Sequence, residues 1–424
     1  MSTSRERLNM TLNHQEPDQL VVDMGSTSIT GINANALHNL RKALNLEERK
    51  VKICEPLQLL GEVEEDLRKT LHLDCVDVST NMNMFGFSNA GRKPFTMPNG
   101  LEVDVPLEFN TTKDEKGRTY LYPQGDTSVP PSGMMPDGGF FFDNITRSTA
   151  TCDDENLNAR EDFKDDFSVI TDEQLRFMEN QCNDYYNNTG YGIVASGALA
   201  SIGDFAIVPG PNVKYPKGIR DLPEFMMAHS ICPEYIHELF EMHLEYAIKN
   251  AELIYQACGD KIQVVYISGT DFGTQIGPFM SLDSYREFYK PYYQKINGWI
   301  HEHTNWKTFY HTCGAISTFL QDFYESGIDI LNPVQCSADG MDPRMLKEKW
   351  GDKFVFWGGG VDTQRTLPFG TPEEVYTEVL ERLKIFAPGG GFVFNAIHNI
   401  QGPTKPENIN AMFEAVRDYN RMAK

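Results

Sequence analysis

Eight short apolar runs recur along the chain, and most are followed by a stretch of helical periodicity. They are Gln19–Met24, Asp74–Val78, Gly192–Ser196, Gln263–Ser268, Lys307–Thr312, Asp329–Val334, Phe354–Gly359 and Gly391–Ile397. Each reads as a strand buried on both faces, as a parallel sheet covered by helices requires. The last four begin about 22 to 37 residues apart, which suits one β/α unit each. Helical patterns cover Pro233–Ala257, Ala315–Ser326, Asp342–Lys349, Pro372–Phe386 and Glu407–Asn420. Before the fourth of these stands Thr371-Pro372-Glu373-Glu374, which offers an N-cap, a proline at the first helical position and acids in the first turn. Eight strands alternating with helices predict a single (β/α)8 TIM barrel over residues 1–424. An open doubly wound sheet is the alternative, but no Gly-x-Gly-x-x-Gly opens a helix after the first strand.

Between the second and third strands the spacing breaks. Residues 80–190 are rich in Gly, Pro, Asn and Asp, with short β-like pieces at Thr119–Tyr122 and Gly139–Asp143. This reads as a long insertion on the barrel rim, either a lid over the mouth or a surface excursion without function.

Composition narrows the partners more than the fold. The formal net charge is −22, from 60 acids against 38 bases. That balance disfavours phosphate backbones and anionic membranes, and leaves docking to a basic patch on a protein open. No apolar run approaches the roughly 20 residues that span a bilayer. The opening MSTSRERLNMTLNHQEPD lacks the apolar core of a secretory signal. The eight cysteines have no framework spacing and read as free thiols of a reducing compartment, with the cytoplasm as the expected location.

The most informative chemistry lies in Phe309-Tyr310-His311-Thr312-Cys313-Gly314. Alternation along a strand puts His311 and Cys313 on one face, at the C-terminal end where β/α barrels gather their catalytic groups. Imidazole nitrogen and thiolate are both zinc ligands. His-x-Cys alone is also what a buried histidine beside an inert cysteine looks like. His398 after the eighth strand and Cys336 after the sixth are further candidate ligands. Asp271, at the end of the fourth strand, is suited to bind substrate, orient a ligand or act as a base, or else to close a local turn.

Four ordered stretches resemble the uroporphyrinogen decarboxylase-like proteins: RERLNMTLNHQEPDQLVV, GTDFGTQIGPFMSLDSYREFYKPYY, GGGVDTQRTLPFGTPEEV and FNAIHNIQGPTKPENINAM. The resemblance covers nearly the whole chain and is weakest in 80–190. It implies a (β/α)8 barrel. True decarboxylases of this kind carry an arginine-rich loop after the first strand to hold the porphyrinogen carboxylates. Here the loop reads Asp23-Met24-Gly25-Ser26-Thr27-Ser28-Ile29-Thr30, without arginine. The site motif instead resembles the branch of zinc-dependent methyltransferases that work with corrinoid proteins, which carry His-x-Cys at the end of the fifth strand. Their third ligand is usually a cysteine in Gly-Cys-Gly, and His398 stands at that position here.

This resemblance implies Zn2+ held by His311, Cys313 and His398, with Cys336 as the substitute third ligand. Asp271 and Gln275 would contact the substrate or support a ligand. The implied reaction moves a methyl group between a small substrate, either a methyl donor or a thiol acceptor, and the cobalt of a corrinoid carried by a partner protein. Two alternatives stand beside it: decarboxylation of a tetrapyrrole, and non-catalytic binding of a tetrapyrrole or corrinoid.

Overall fold

The computed structural model describes residues 2–197 and 199–422. Eight parallel strands form one sheet: β1 (Val21–Val22), β2 (Cys75–Val78), β3 (Gly192–Ala195), β4 (Val264–Ser268), β5 (Lys307–His311), β6 (Ile330–Asn332), β7 (Val355–Trp357) and β8 (Phe392–Phe394). Neighbours in the sheet are neighbours in sequence, and β1 returns to pair with β8. Between β1 and β2 the barrel closes on two bonds: Asp74 N–H donates to Val22 O at 2.7 Å, and Val22 N–H donates to the Asp74 carboxylate at 2.8 Å. All eight expected strands are present, and the fold is the TIM barrel that their alternation predicts.

Two packed cores follow from the pleat. Val21, Cys75, Val194, Val264, Phe309, Ile330, Val355 and Val393 point into the barrel, with Tyr266 and Trp357 above them. Leu8 and Leu12 of the N-terminal helix Ser4–Leu12 plug its lower end. The alternate strand residues, such as Val22, Tyr310 and Leu331, face the helices. Because both faces are apolar, the strands read as continuous hydrophobic runs. On β5, Phe309 fills the lumen, so His311 two residues on faces inward as well.

The helix Pro372–Phe386 starts as expected: the Thr371 side chain accepts from Glu374 N–H, and the Glu374 side chain accepts from Thr371 N–H. The stretch Ala315–Ser326, expected as one helix, is instead a 3-10 turn at Ser317–Phe319 followed by Leu320–Glu325. It starts late because Gly314 takes φ +90° and Ala315 N–H donates to Thr274 O, holding this segment against the loop after β4.

After β2 the chain builds two small sheets. One runs in the order Leu60–Gly61, Val51–Glu55, Glu102–Val105, Lys93–Thr96; its first two strands belong to the β1–β2 connection. The other runs Asp143–Asn144, Gly133–Met135, Thr119–Leu121, Thr111–Lys113. The β-like piece expected at Gly139–Asp143 is displaced: Gly139 N–H closes a turn on Pro136 O, and the strand is Asp143–Asn144. The helix Asp172–Asn188 packs on Pro233–Cys258 and leads directly into β3, as an ordinary β/α connection does. The extra sheets rest on loops at the C-terminal ends of the strands: Asn33 Nδ2 donates to Phe140 O and Asn144 Nδ2 to Ala206 O, at 2.9 and 2.8 Å. A buried fork from Arg220 to Asp166, 2.7 and 2.9 Å, pins residues 162–166 beneath the loop after β3. No helix among the described residues is long and apolar enough to cross a membrane.

Candidate active site

His311 is the last residue of β5, and its ring is held from behind. Nδ1 lies 2.6 Å from Asn332 Oδ1, while Asn332 Nδ2 donates to Trp357 O at 2.8 Å. A carbonyl only accepts, so that second bond fixes which end of the Asn332 amide is oxygen. His311 Nδ1 therefore carries the proton, and Nε2 presents its lone pair to the lumen. Cys313 Sγ stands 3.4 Å from that Nε2. His398, from the segment after β8, lies edge-on to His311 with ring centroids 5.1 Å apart. One donor atom from each of His311, Cys313 and His398 falls within 4.8 Å of the others.

This trio suits a zinc ion in its donors and nearly so in its spacing. With Zn–S of about 2.3 Å and Zn–N of about 2.0–2.1 Å, tetrahedral ligands stand about 3.5 Å apart. The His311–Cys313 pair already has that spacing. The wider limit of 4.8 Å asks the trio to draw in by about an ångström. His398 Nδ1 accepts from Asn399 N–H at 2.8 Å, so its ring must turn or exchange its proton to offer a lone pair.

Burial lowers both histidines to about 4, which leaves them neutral, the form that ligates. Burial, reinforced by Asp271, pushes the Cys313 thiol well up. A cation at this point supplies the charge that a thiolate needs, reversing that bias.

Asp271 lies beneath Cys313. Its Oδ1 accepts from Cys313 N–H at 2.6 Å, and burial raises its carboxyl above the usual range. Gln275 is exposed on the turn after β4, where its carbonyl accepts from Asp339 N–H. A cavity of about 290 Å3 opens here, lined by Gln275, Cys313, Gln335, Ser337, Gln364 and His398 among others, with no lysine or arginine among the described residues of its wall. A larger cavity of about 580 Å3 lies at the other end of the barrel, around Gln263, Lys307 and Asp329. Gln263 and Asp329 immediately precede β4 and β6 and Lys307 opens β5, on the face that stabilises rather than catalyses, so the smaller cavity marks the site.

Cys336 does not join the trio. The strand period stops at the turn after β6, where Cys336 N–H donates to Val334 O, and its thiol faces Arg382 and Glu378 of the helix layer, raised to about 12 by burial. Its neighbour Gln335 turns to the cavity instead. Gln335 and Asn332 carry no sequence signal that separates them from other amides. Buried carboxylates at the ends of neighbouring strands were equally unmarked: Asp77 on β2 and Asp204 after β3, both raised to about 7 by burial. Asp23, in the loop after β1, accepts from Trp357 Nε1 at 3.0 Å.

Residues 216–419 match the family described as uroporphyrinogen decarboxylase (URO-D). The matched segment makes up just under half of the chain. It includes β4 to β8 and all three residues of the trio. Proteins named uroporphyrinogen decarboxylase are similar to it. That of Pseudoalteromonas translucida is 28% identical over 149 residues, 34% of this chain and 39% of that protein. That of Pseudomonas fluorescens is 31% identical over 147 residues, with the same shares. That of Prochlorococcus marinus is 30% identical over 195 residues, 45% of this chain and 50% of that protein. These matches span half or less of the relatives' length. The solved structure of a methyltransferase from Methanosarcina mazei superposes over 99% of both chains with a TM-score of 0.58, at 15% identity. That likeness concerns the fold alone, over the matched segment and the residues before it.

Proposed function

We propose that this protein is a zinc-dependent methyltransferase that moves a methyl group between a small substrate and the cobalt of a corrinoid carried by a partner protein. The observation that carries the reading is the convergence of His311, Cys313 and His398 at the barrel mouth, with donor atoms within 4.8 Å of one another. Zinc bound there by three protein ligands supplies a Lewis acid with one open position, able to acidify a thiol or polarise the heteroatom of a methyl donor. Asn332 sets the His311 tautomer, and Asp271 fixes the backbone of Cys313. Gln275 stands on the rim of the cavity that would admit the substrate.

One feature favours methyl transfer over decarboxylation of a tetrapyrrole. Among the described residues no lysine or arginine lines the cavity beside the trio, and the loop after β1 offers buried Asp23 where a polycarboxylate needs arginine. The names of the relatives favour decarboxylation, which has a direct assay: conversion of uroporphyrinogen to coproporphyrinogen.

Elemental analysis of the purified wild type and of Cys313→Ala tests the proposal. It expects about one zinc per chain in the wild type and none in the variant. A wild type that neither retains zinc nor takes it up on addition sinks the reading.

A further inference from the structure

Gln335 is 95% buried, yet only one end of its amide is used. Its Oε1 accepts from Gly314 N–H at 2.7 Å. Since an N–H only donates, the atom facing it is the oxygen, and the amide cannot be flipped without breaking that bond. Nε2 is left with no partner among the described residues, on a side chain that lines the cavity next to Cys313 and His398. Nε2 itself keeps contact with the cavity, so water can satisfy it until a ligand enters. Held in place beside a candidate metal centre, it is a donor kept for something that enters the cavity.

The rest of the wall says what that is. Among the described residues no lysine or arginine lines the cavity. Its single acid, Asp362, uses Oδ1 to accept from Gln364 N–H and Arg365 N–H, at 2.6 and 3.0 Å. A quaternary ammonium carries no lone pair and has nothing to offer the Gln335 donor. We infer that Gln335 reads the substrate of this site, and that the substrate is a small molecule with a hydrogen-bond acceptor beside its reacting heteroatom. The inference rests on the methyltransferase reading, whose zinc would supply positive charge at the site, so the acceptor rather than the net charge is what Gln335 selects. A site built to satisfy an acceptor rejects the analogue that lacks one, because its own donor is then stranded.

Three probes of similar size separate the possibilities: 2-methoxyethanol, methoxyacetate and 1-methoxypropane. Their dissociation constants for the full chain are read by ligand-observed NMR titration, with zinc content measured on the same samples. The wild type should bind 2-methoxyethanol and methoxyacetate, which both carry an acceptor, about tenfold more tightly than 1-methoxypropane. Gln335→Met should lose that preference and bind 1-methoxypropane as before. Gln335→Glu, read at about pH 8.5 so that the carboxyl is ionised, returns an oxygen to Gly314 N–H without the donor and should also lack the preference. 1-Methoxypropane binding as tightly as 2-methoxyethanol in the wild type would overturn the inference, as would a wild-type preference in either variant. A wild type that keeps the preference but holds no zinc leaves Gln335 as the reader and removes the methyltransferase reading alone. Zinc held without the preference removes the Gln335 assignment alone.

Discussion

Asn332 Oδ1 sits 2.6 Å from His311 Nδ1, at a level of the barrel where β5 and β6 are paired residue for residue. Because Asn332 also donates to Trp357 O, the contact has a direction, and the imidazole is held in the tautomer that ligates through Nε2. Asn332→Leu should weaken zinc affinity about 10–100-fold with little loss of fold. Asn332→Asp keeps an acceptor toward Nδ1 and should restore most of it. Competition of the apo protein with a chromophoric chelator measures both, and equal affinities for wild type and Asn332→Leu would refute the role.

Cys336 and Cys313 are both half-buried thiols close to strand ends, yet only Cys313 belongs to the trio. Cys336→Ala should leave zinc content unchanged, whereas Cys313→Ala should abolish it. Loss of metal from Cys336→Ala would return that cysteine to the site and displace His398.

The barrel was legible in the sequence because strands buried on both faces leave continuous apolar runs, and eight of them survive any uncertainty at their ends. His311 and Cys313 were legible because one strand places them on one face. What escaped is what the strand period cannot reach. Past β6 the chain turns, so Gln335 rather than Cys336 meets the cavity. Asn332 and Gln335 acquire roles only through partners 21 residues away, which no local pattern encodes. The strands of the two added sheets are two to five residues long, and several are half-exposed. Such pieces carry too little alternation to be read.

His243 links stability to pH away from the site. It lies buried on the helix Pro233–Cys258, stacked on Phe167 at 4.1 Å, and burial lowers it to about 3. An unfolded histidine titrates near about 6.5, so the unfolded chain takes up this proton first. The stability is fully present above about pH 6.5 and is lost as pH falls toward the folded value, by about 2.7 kcal/mol at about pH 4.5. His243→Phe removes the linkage. Its melting temperature should fall less between pH 7 and about 4.5 than that of the wild type, and parallel curves would show that His243 is not buried neutral.

Arg220 and Asp166 test what holds the added sheets to the barrel. Both side chains are essentially inaccessible, and the guanidinium also lies 3.9 Å over the Phe163 ring. Burial raises the Asp166 carboxyl despite Arg220, so desolvation outweighs the attraction at that carboxylate. Removing one partner is then worse than removing both. Arg220→Met should cost about 3–5 kcal/mol, since it strands a buried carboxylate. The double variant Arg220→Met/Asp166→Leu should recover much of that loss, which shows as a favourable coupling in a double-mutant cycle. Urea unfolding of the four proteins gives the cycle. Additive losses would mean that the pair acts through separate contacts, such as the Arg220 bonds to Lys217 O and Asp162 O.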